Sequence, residues 1–378
     1  MNLQIPESMQ PAFERKAHPY FYYESLMSTP QGLQMVMADE SLAMINKVAE
    51  ALADKEIVHL VGNGTSYFNA VFMAHALNMI AGKLAVAHPA YDFYAYPPTG
   101  LDKNAALIGI SHSGSSPAVV DAMELAQSKE MLTISICDFA DSALTKMADL
   151  SIYSDNKEIN GPKTRSYVAS LMRGLLLAVE MGKPNGKNFT ALQAALHKAP
   201  AIVEKVLADN ETVVKKFAES RVNEPNARIV FTGAGYAYST AMEASLKVVE
   251  TMLLHACPWE LEEAVHGTWV SQKEGELLVV FAPRGESYNK CKVLVQGMKT
   301  VGAFVWVITD EPEGMDGADF TTILPAEINE QTYPLYAILP IYQFIYYHTL
   351  AQGDLHPDRA PYEDPKFMKA RFELRTWR

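Results

Sequence analysis

Residues 105–116 read AALIGISHSGSS: an apolar run, then four serines, a histidine and a glycine in six positions. A short continuous apolar run with no polar alternation reads as a strand covered on both faces, the pattern of a parallel sheet. Its neighbours agree. EIVHLVG (56–62), KLAVAHPA (83–90), LTISICD (132–138) and LSIYSD (150–155) are further strand candidates, with helical periodicity between them. A polar helical stretch over about 188–220 then leads to RVNEPNAR, where Pro225 and Asn226 mark a turn before ARIVFTGAG.

The second half repeats the first in register. Gly62 and Gly64 match Gly233 and Gly235, and Gly114 matches Gly285, all 171 residues apart, while Asp138 matches Asp310 at 172. Three landmarks in one register indicate an internal duplication. The expected fold is therefore α/β, two tandem doubly wound parallel-sheet domains with flanking helices. The expected boundaries are 1–40 for an N-terminal extension, 41–187 for the first domain and 188–226 for a helical linker. The second domain takes 227–352, and 353–378 form a C-terminal tail over the site.

Composition bounds the function. The 378 residues, 49% hydrophobic, can bury a large core, and three scattered cysteines suit neither a disulfide framework nor a metal cage. The start MNLQIPESMQPAFERK lacks a basic segment and a hydrophobic centre, and no apolar stretch reaches membrane-spanning length. A cytoplasmic protein without membrane partners is expected. A formal charge of −12 disfavours nucleic acid, whose phosphates need a basic face.

A small anion can still bind where local dipoles hold it. Pro117 opens a helical pattern directly after the serines, so their hydroxyls stand at a helix N-terminus, where free N–H groups favour phosphate. The matching turn of the second half has Ala282, Pro283 and Arg284 in place of Ser111, His112 and Ser113, so the serines are not needed to end the strand. Ser111, His112, Ser113 and Ser116 are the candidate phosphate contacts. The nucleophile elbow G-x-S-x-G fails, because Ser113 stands where its second glycine belongs, and the dinucleotide fingerprint lacks its third glycine in both halves. GNGTS (62–66) supplies a second hydroxyl turn, Thr65 and Ser66, for which helix capping is the other account.

GNGTS followed by SHSGSS in a duplicated α/β chain resembles the sugar isomerase (SIS) family, which binds phosphosugars through such serine turns. The resemblance runs from about residue 40 to 355. It is strongest to tandem members: the isomerase half of glucosamine-6-phosphate synthase, SIS-type glucosamine-6-phosphate deaminases, and deglycases of phosphorylated Amadori compounds. No cysteine follows Met1, so ammonia drawn from glutamine is not expected.

In AMEASLKVVETMLLHA, the residues Glu243, Lys247 and Glu250 fall at i, i+4 and i+7 and share one helix face. A solvated Glu–Lys pair and a reactive stripe both account for this spacing. The resemblance implies that Glu250, in a segment resembling ALKLKE, is the general acid/base and that His266, sixteen residues on in a segment resembling ELKHG, is its partner. A glutamate raised by desolvation suits proton transfer between C1 and C2, and histidine titrates in the range that ring opening needs. Glu262 or Glu263 stand near enough in sequence to orient the imidazole, with plain surface exposure as the other account of either. Lys247 joins the substrate contacts. By the same resemblance Gly161, Lys163 and Thr164 form a loop over the phosphosugar, although the family usually has a serine where Lys163 stands.

The tail GDLHPDRAPYEDPKFMKARFELRTWR lacks the N-L-x-K segment of the synthase and deaminases and looks more like that of the Amadori deglycases. The expectation is a homodimer with composite sites. It cleaves a 6-phosphorylated fructosyl- or glucosyl-amino acid to glucose 6-phosphate and a free amine, without metal or organic cofactor. An aminosugar-phosphate deaminase or isomerase, using Lys366 or Lys369, is the alternative. A non-catalytic phosphosugar sensor is the alternative of another class.

Overall fold

The computed structural model describes residues 10–222, 228–311, 313–361 and 364–376. Each half of the chain forms one five-stranded parallel sheet. In the first, β1 (Ile57–Gly62), β2 (Ala85–Pro89), β3 (Ala105–Ile110), β4 (Leu132–Ile136) and β5 (Leu150–Ile152) lie in the order β2-β1-β3-β4-β5. In the second, β6 (Ile229–Gly233), β7 (Ala256–Glu260), β8 (Leu277–Ala282), β9 (Phe304–Thr309) and β10 (Phe320–Ile323) lie in the order β7-β6-β8-β9-β10. The two orders are the same, and the duplicated doubly wound α/β fold follows. Both central strands, β3 and β8, are buried at every position, as their unbroken apolar sequence requires.

Two edge strands of the second sheet carry only a weak strand signal. ACPWE of β7 is short of β-branched residues and contains a proline at a sheet edge, and FTTI of β10 is only four residues long. The duplication register places both: β2 starts 171 residues before β7, and β5 starts 170 before β10. The glycines that open the two repeats are also alike, Gly64 with φ 54° and ψ −128° and Gly235 with φ 54° and ψ −124°, a conformation that side chains avoid.

One apolar core runs through both sheets. The helix Pro334–Gln352 lies inside it, buried on every side from Pro334 to Thr349, as an all-round apolar pattern requires. The helix Thr190–Ser220 packs along it, burying Leu196, Val203, Val206, Leu207 and Val214, so this stretch is part of the packed body. The expected turn at Pro225 and Asn226 lies outside the described residues. The N-terminal segment is also built into the core: Tyr22, Leu26, Leu33 and Val36 are fully buried. Among the described residues no helix is long and apolar enough to cross a membrane.

Candidate active site between the repeats

The helix Tyr236–Thr251 carries Glu243, Lys247 and Glu250 on one face. Glu243 and Lys247 are 0% and 1% exposed, so the stripe is not a solvated face, and each buried charge needs partners. The Thr65 hydroxyl donates to Glu243 Oε2 at 2.8 Å, and the Tyr342 hydroxyl donates to Oε1 at 2.9 Å. Lys247 Nζ donates to Thr65 Oγ1 at 2.9 Å and to Glu250 Oε2 at 2.6 Å, and it lies 3.5 Å from Glu243 Oε1. Burial would strip Lys247 of its proton, but Glu243 and Glu250 outweigh it and hold the ammonium charged. Burial pushes the Glu243 carboxyl up, and the Lys247 charge only partly opposes this. The desolvated acid is therefore Glu243. The side chain of Glu250, which the sequence reading made the desolvated one, is 41% exposed at the mouth of the network.

The serine turn ends β3 and opens the helix Pro117–Ser128. Ser111 Oγ and Ser116 Oγ are 2.9 Å apart, and Ser113 Oγ and Ser115 Oγ 3.0 Å. The backbone N–H groups of Ser113, Ser115 and Ser116 meet no acceptor among the described residues. Hydroxyls and free amides at a helix start make an anion cradle.

His112 is placed differently from its neighbours. Its Nδ1 lies 3.3 Å from Asp138 and its Nε2 3.5 Å from Asn69, so both ring nitrogens face protein groups. Asp138 is bonded on its other oxygen by Arg173 at 3.2 Å. Burial alone would raise the Asp138 carboxyl, yet the bond to His112 and the Arg173 charge hold it below its usual value. His112 thus fixes the turn from beneath, where a phosphate contact was expected.

The matching turn in the second repeat is already occupied by carboxylates. Arg284 N–H donates to Asp310 at 2.7 Å, and the Glu330 carboxylate lies 2.6 Å from where a side chain on Gly285 would begin. Among the described residues, the amides of the first repeat's turn meet no carboxylate.

The helix Thr65–Ala76 joins the two halves of the site. Thr65 reaches Glu243 and Lys247, and Asn69, one turn further and about 6 Å along the axis, reaches His112. Gly64, with no side chain-capped bond, is the residue before the helix, so Thr65 is committed to the network between repeats and not to a cap. Ser66 is buried in the same turn.

The loop 156–164 largely satisfies itself. Glu158 accepts from the backbone N–H groups of Thr164 and Ser166, each at 3.3 Å, and so fills the N-terminus of the helix Arg165–Gly182. The Thr164 hydroxyl donates to the same carboxylate. Lys163 Nζ turns back to the carbonyls of Glu158 and Asn160, both at 2.9 Å, and burial pushes its ammonium down. Gly161 N–H donates to the Asp358 carbonyl at 3.0 Å, and any side chain on Gly161 would collide with that oxygen. The loop is thereby tied to the C-terminal segment. The side chains of Lys163 and Thr164 and the N–H of Gly161 are thus turned toward protein groups, where phosphate contacts were expected.

His266 ends the short helix Leu261–His266 and is exposed. Its side chain makes no hydrogen bond or ion pair with the described residues, and Glu262 instead pairs with Lys290. Lys366 and Lys369 are exposed and pair with Asp364 and Glu373 of their own segment. Among the described residues no cluster of three or more His, Cys, Asp or Glu side chains converges as a metal site.

The sequence profile of the SIS domain matches residues 51–180 and 223–347, one segment on each sheet. The chain belongs to the SIS domain family. Among relatives of this SIS chain, the glutamine–fructose-6-phosphate aminotransferase [isomerizing] of Pyrococcus horikoshii is 27% identical over 349 residues, covering 92% of this chain and 57% of the relative. The chain spans about half the length of the curated relatives it matches. The C-terminal domain of glucosamine-fructose-6-phosphate aminotransferase from Francisella tularensis superposes with a TM-score of 0.81 at 16% identity, over 91% of this chain and 99% of that one. A glucosamine-6-phosphate deaminase from Thermotoga maritima superposes with a TM-score of 0.72 at 18% identity, over 90% and 98%. These two likenesses show the SIS fold.

The sequence reading did not find Asn69, Arg173 or Tyr342. Asp138 served only as a repeat landmark, though a buried acid ending a strand calls for a cation, and Arg173 on the following buried helix is that cation.

Proposed function

We propose that this protein is a deglycase that cleaves a 6-phosphorylated fructosyl- or glucosyl-amine to glucose 6-phosphate and the free amine. The observation that carries it is the Lys247–Glu250 pair, a solvent-reaching carboxylate anchored by a buried ammonium and joined through Thr65 and Asn69 to an open anion cradle. In the ketose adduct, Glu250 takes the proton from C1 and returns it to C2 through a 1,2-enolamine. The product is an imine at C1. Water adds there, and the amine leaves with the proton that water supplies. The serine turn holds the phosphate, and His266, delivered by a second copy of the chain, moves the proton that opens the sugar ring. Lys247 keeps its charge beside the oxygens of the enolamine.

The second reading is an aminosugar-phosphate deaminase or isomerase. The likeness to an isomerizing aminotransferase and to a glucosamine-6-phosphate deaminase favours it, whereas the pairing of Lys366 and Lys369 within their own segment favours the deglycase.

The deciding experiment incubates the protein with fructoselysine 6-phosphate, glucoselysine 6-phosphate, fructose-aspartate 6-phosphate and glucosamine 6-phosphate. Glucose 6-phosphate, fructose 6-phosphate and ammonia are assayed separately. A Glu250→Gln variant should lose about 10² to 10⁴ in turnover and still bind. Ammonia from glucosamine 6-phosphate alone would establish the second reading.

A further inference from the structure

A cavity of about 320 Å³ lies between the helices Thr29–Val36 and Thr190–Ser220. No residue of the serine turn or of the carboxylate network lines it. Helical spacing makes both walls. Pro30, Gln34 and Met37 fall at i, i+4 and i+7 on one, and His197, Pro200 and Glu204 at i, i+3 and i+7 on the other. Pro30 is buried and Met37 half-buried, so the floor is apolar, while Gln34, His197 and Glu204 are exposed around it. The side chains of these three make no hydrogen bond or ion pair with the described residues.

Proline inside a helix lacks the N–H that the carbonyl four residues back would accept, and its ring crowds that carbonyl. At Pro200 the carbonyl concerned is that of Leu196, so the helix leaves one acceptor over beside the cavity. No lysine or arginine among the described residues lines the cavity to neutralise Glu204, and Lys205, next to it in sequence, is held by Asp209 at 2.5 Å. A carboxylate and a spare carbonyl over an apolar floor select a ligand that is a positive donor at one end and apolar at the other. We propose that this cavity binds a small primary alkylammonium ion, its nitrogen bonded to the Glu204 carboxylate and the Leu196 carbonyl and its chain laid on Pro30, Met37 and the Pro200 ring. The volume is at the lower end for small-molecule sites, which suits a short chain. The free amine of the proposed deglycation belongs to this class, so binding of product here rests on that reading, whereas the ammonium site itself does not.

Binding is tested on the full chain with n-pentylamine, and with n-pentanol and n-hexanoate as neutral and negative chains of similar size. In protein carrying ¹³C-methyl methionine, the Met37 methyl signal, assigned by its loss in Met37→Leu, is followed at about pH 8. Pentylamine should shift it saturably, with an affinity at least about fivefold above that of either control. Glu204→Gln changes an exposed side chain and should weaken pentylamine by at least about threefold while leaving pentanol as it is. Pro200→Ala returns an N–H to the Leu196 carbonyl, so it should also weaken pentylamine while the melting temperature rises. Failure to saturate, an equal response to the three chains, or unchanged affinity in Glu204→Gln overturns the proposal. Saturable, Glu204-dependent binding in protein that shows no deglycase activity removes the proposed reaction and leaves this site standing.

Discussion

The Thr65 hydroxyl donates to Glu243 at 2.8 Å across the boundary between the two repeats. The duplication gives this pair a counterpart, Tyr236 and Phe72, whose rings meet edge to face at 5.7 Å. One interface position became a polar network and its twin an aromatic contact. The reactive groups therefore gather at one of two equivalent places.

The network also bears on stability. Lys247→Met leaves Glu243 buried without its cation and should destabilise the protein by about 3 to 5 kcal/mol. Adding Glu243→Leu should recover a large part of that loss, because an apolar pair no longer carries an unpaired charge. Urea unfolding of the three proteins measures both steps. A cost below about 1 kcal/mol for Lys247→Met would show that water reaches the pair in solution.

Ser113→Ala should raise KM for the phosphorylated substrate and leave kcat nearly unchanged, since a bond to a remote phosphate acts in ground and transition states alike. A charge-assisted bond of about 1.5 to 3 kcal/mol corresponds to roughly 10- to 100-fold. Arg284→Ala in the carboxylate-filled sister turn should leave affinity for glucose 6-phosphate as it is. Calorimetry with that ligand separates the two turns, and equal affinity of wild type and Ser113→Ala would remove the phosphate from the serine turn.

Much of this was legible because repetition makes each half a control for the other. The glycine and aspartate landmarks foretold two sheets of one strand order, and the contrast of SHS with APR marked the turn whose amides meet no acceptor among the described residues. What stayed hidden is what long-range packing decides. Nothing local to Glu243 or Glu250 says which is buried, because that depends on Thr65 and Tyr342, 178 and 99 residues away from Glu243. His112 looked like a ligand contact since the cation beside Asp138 comes from a helix 35 residues further on.

His59 on β1 and His88 on β2 are 3.0 Å apart at their ring nitrogens, with Phe93 packed against both. Burial, with the nearby His88, pushes His59 down to about 4. Burial also lowers His88, against the pull of Asp92. The unfolded chain takes up the His59 proton near pH 6.5 and the folded chain does not. Stability from this group is therefore whole above about pH 6.5 and is lost as pH falls toward 4, by up to about 3 kcal/mol. His59→Phe should flatten that slope. Denaturant unfolding at pH 7 and pH 5 gives the comparison, and equal slopes in both proteins would mean that His59 is protonated in the fold.

His266 has no partner in its own chain among the described residues, and Trp269 and Val270 beside it are 36% and 70% exposed. Such a surface suits a second copy of the chain, and a twofold dimer makes two composite sites by symmetry. Glu250→Gln and His266→Asn homodimers should each be nearly inactive, because every site lacks one group. Refolded together, the two variants give mixed dimers in which one site lacks both groups and the other lacks neither. With random pairing half of the dimers are mixed, so activity should return to about a quarter of wild type. Native mass spectrometry counts the mixed dimers. If they form and activity stays absent, Glu250 and His266 serve the same chain, and the composite site is wrong.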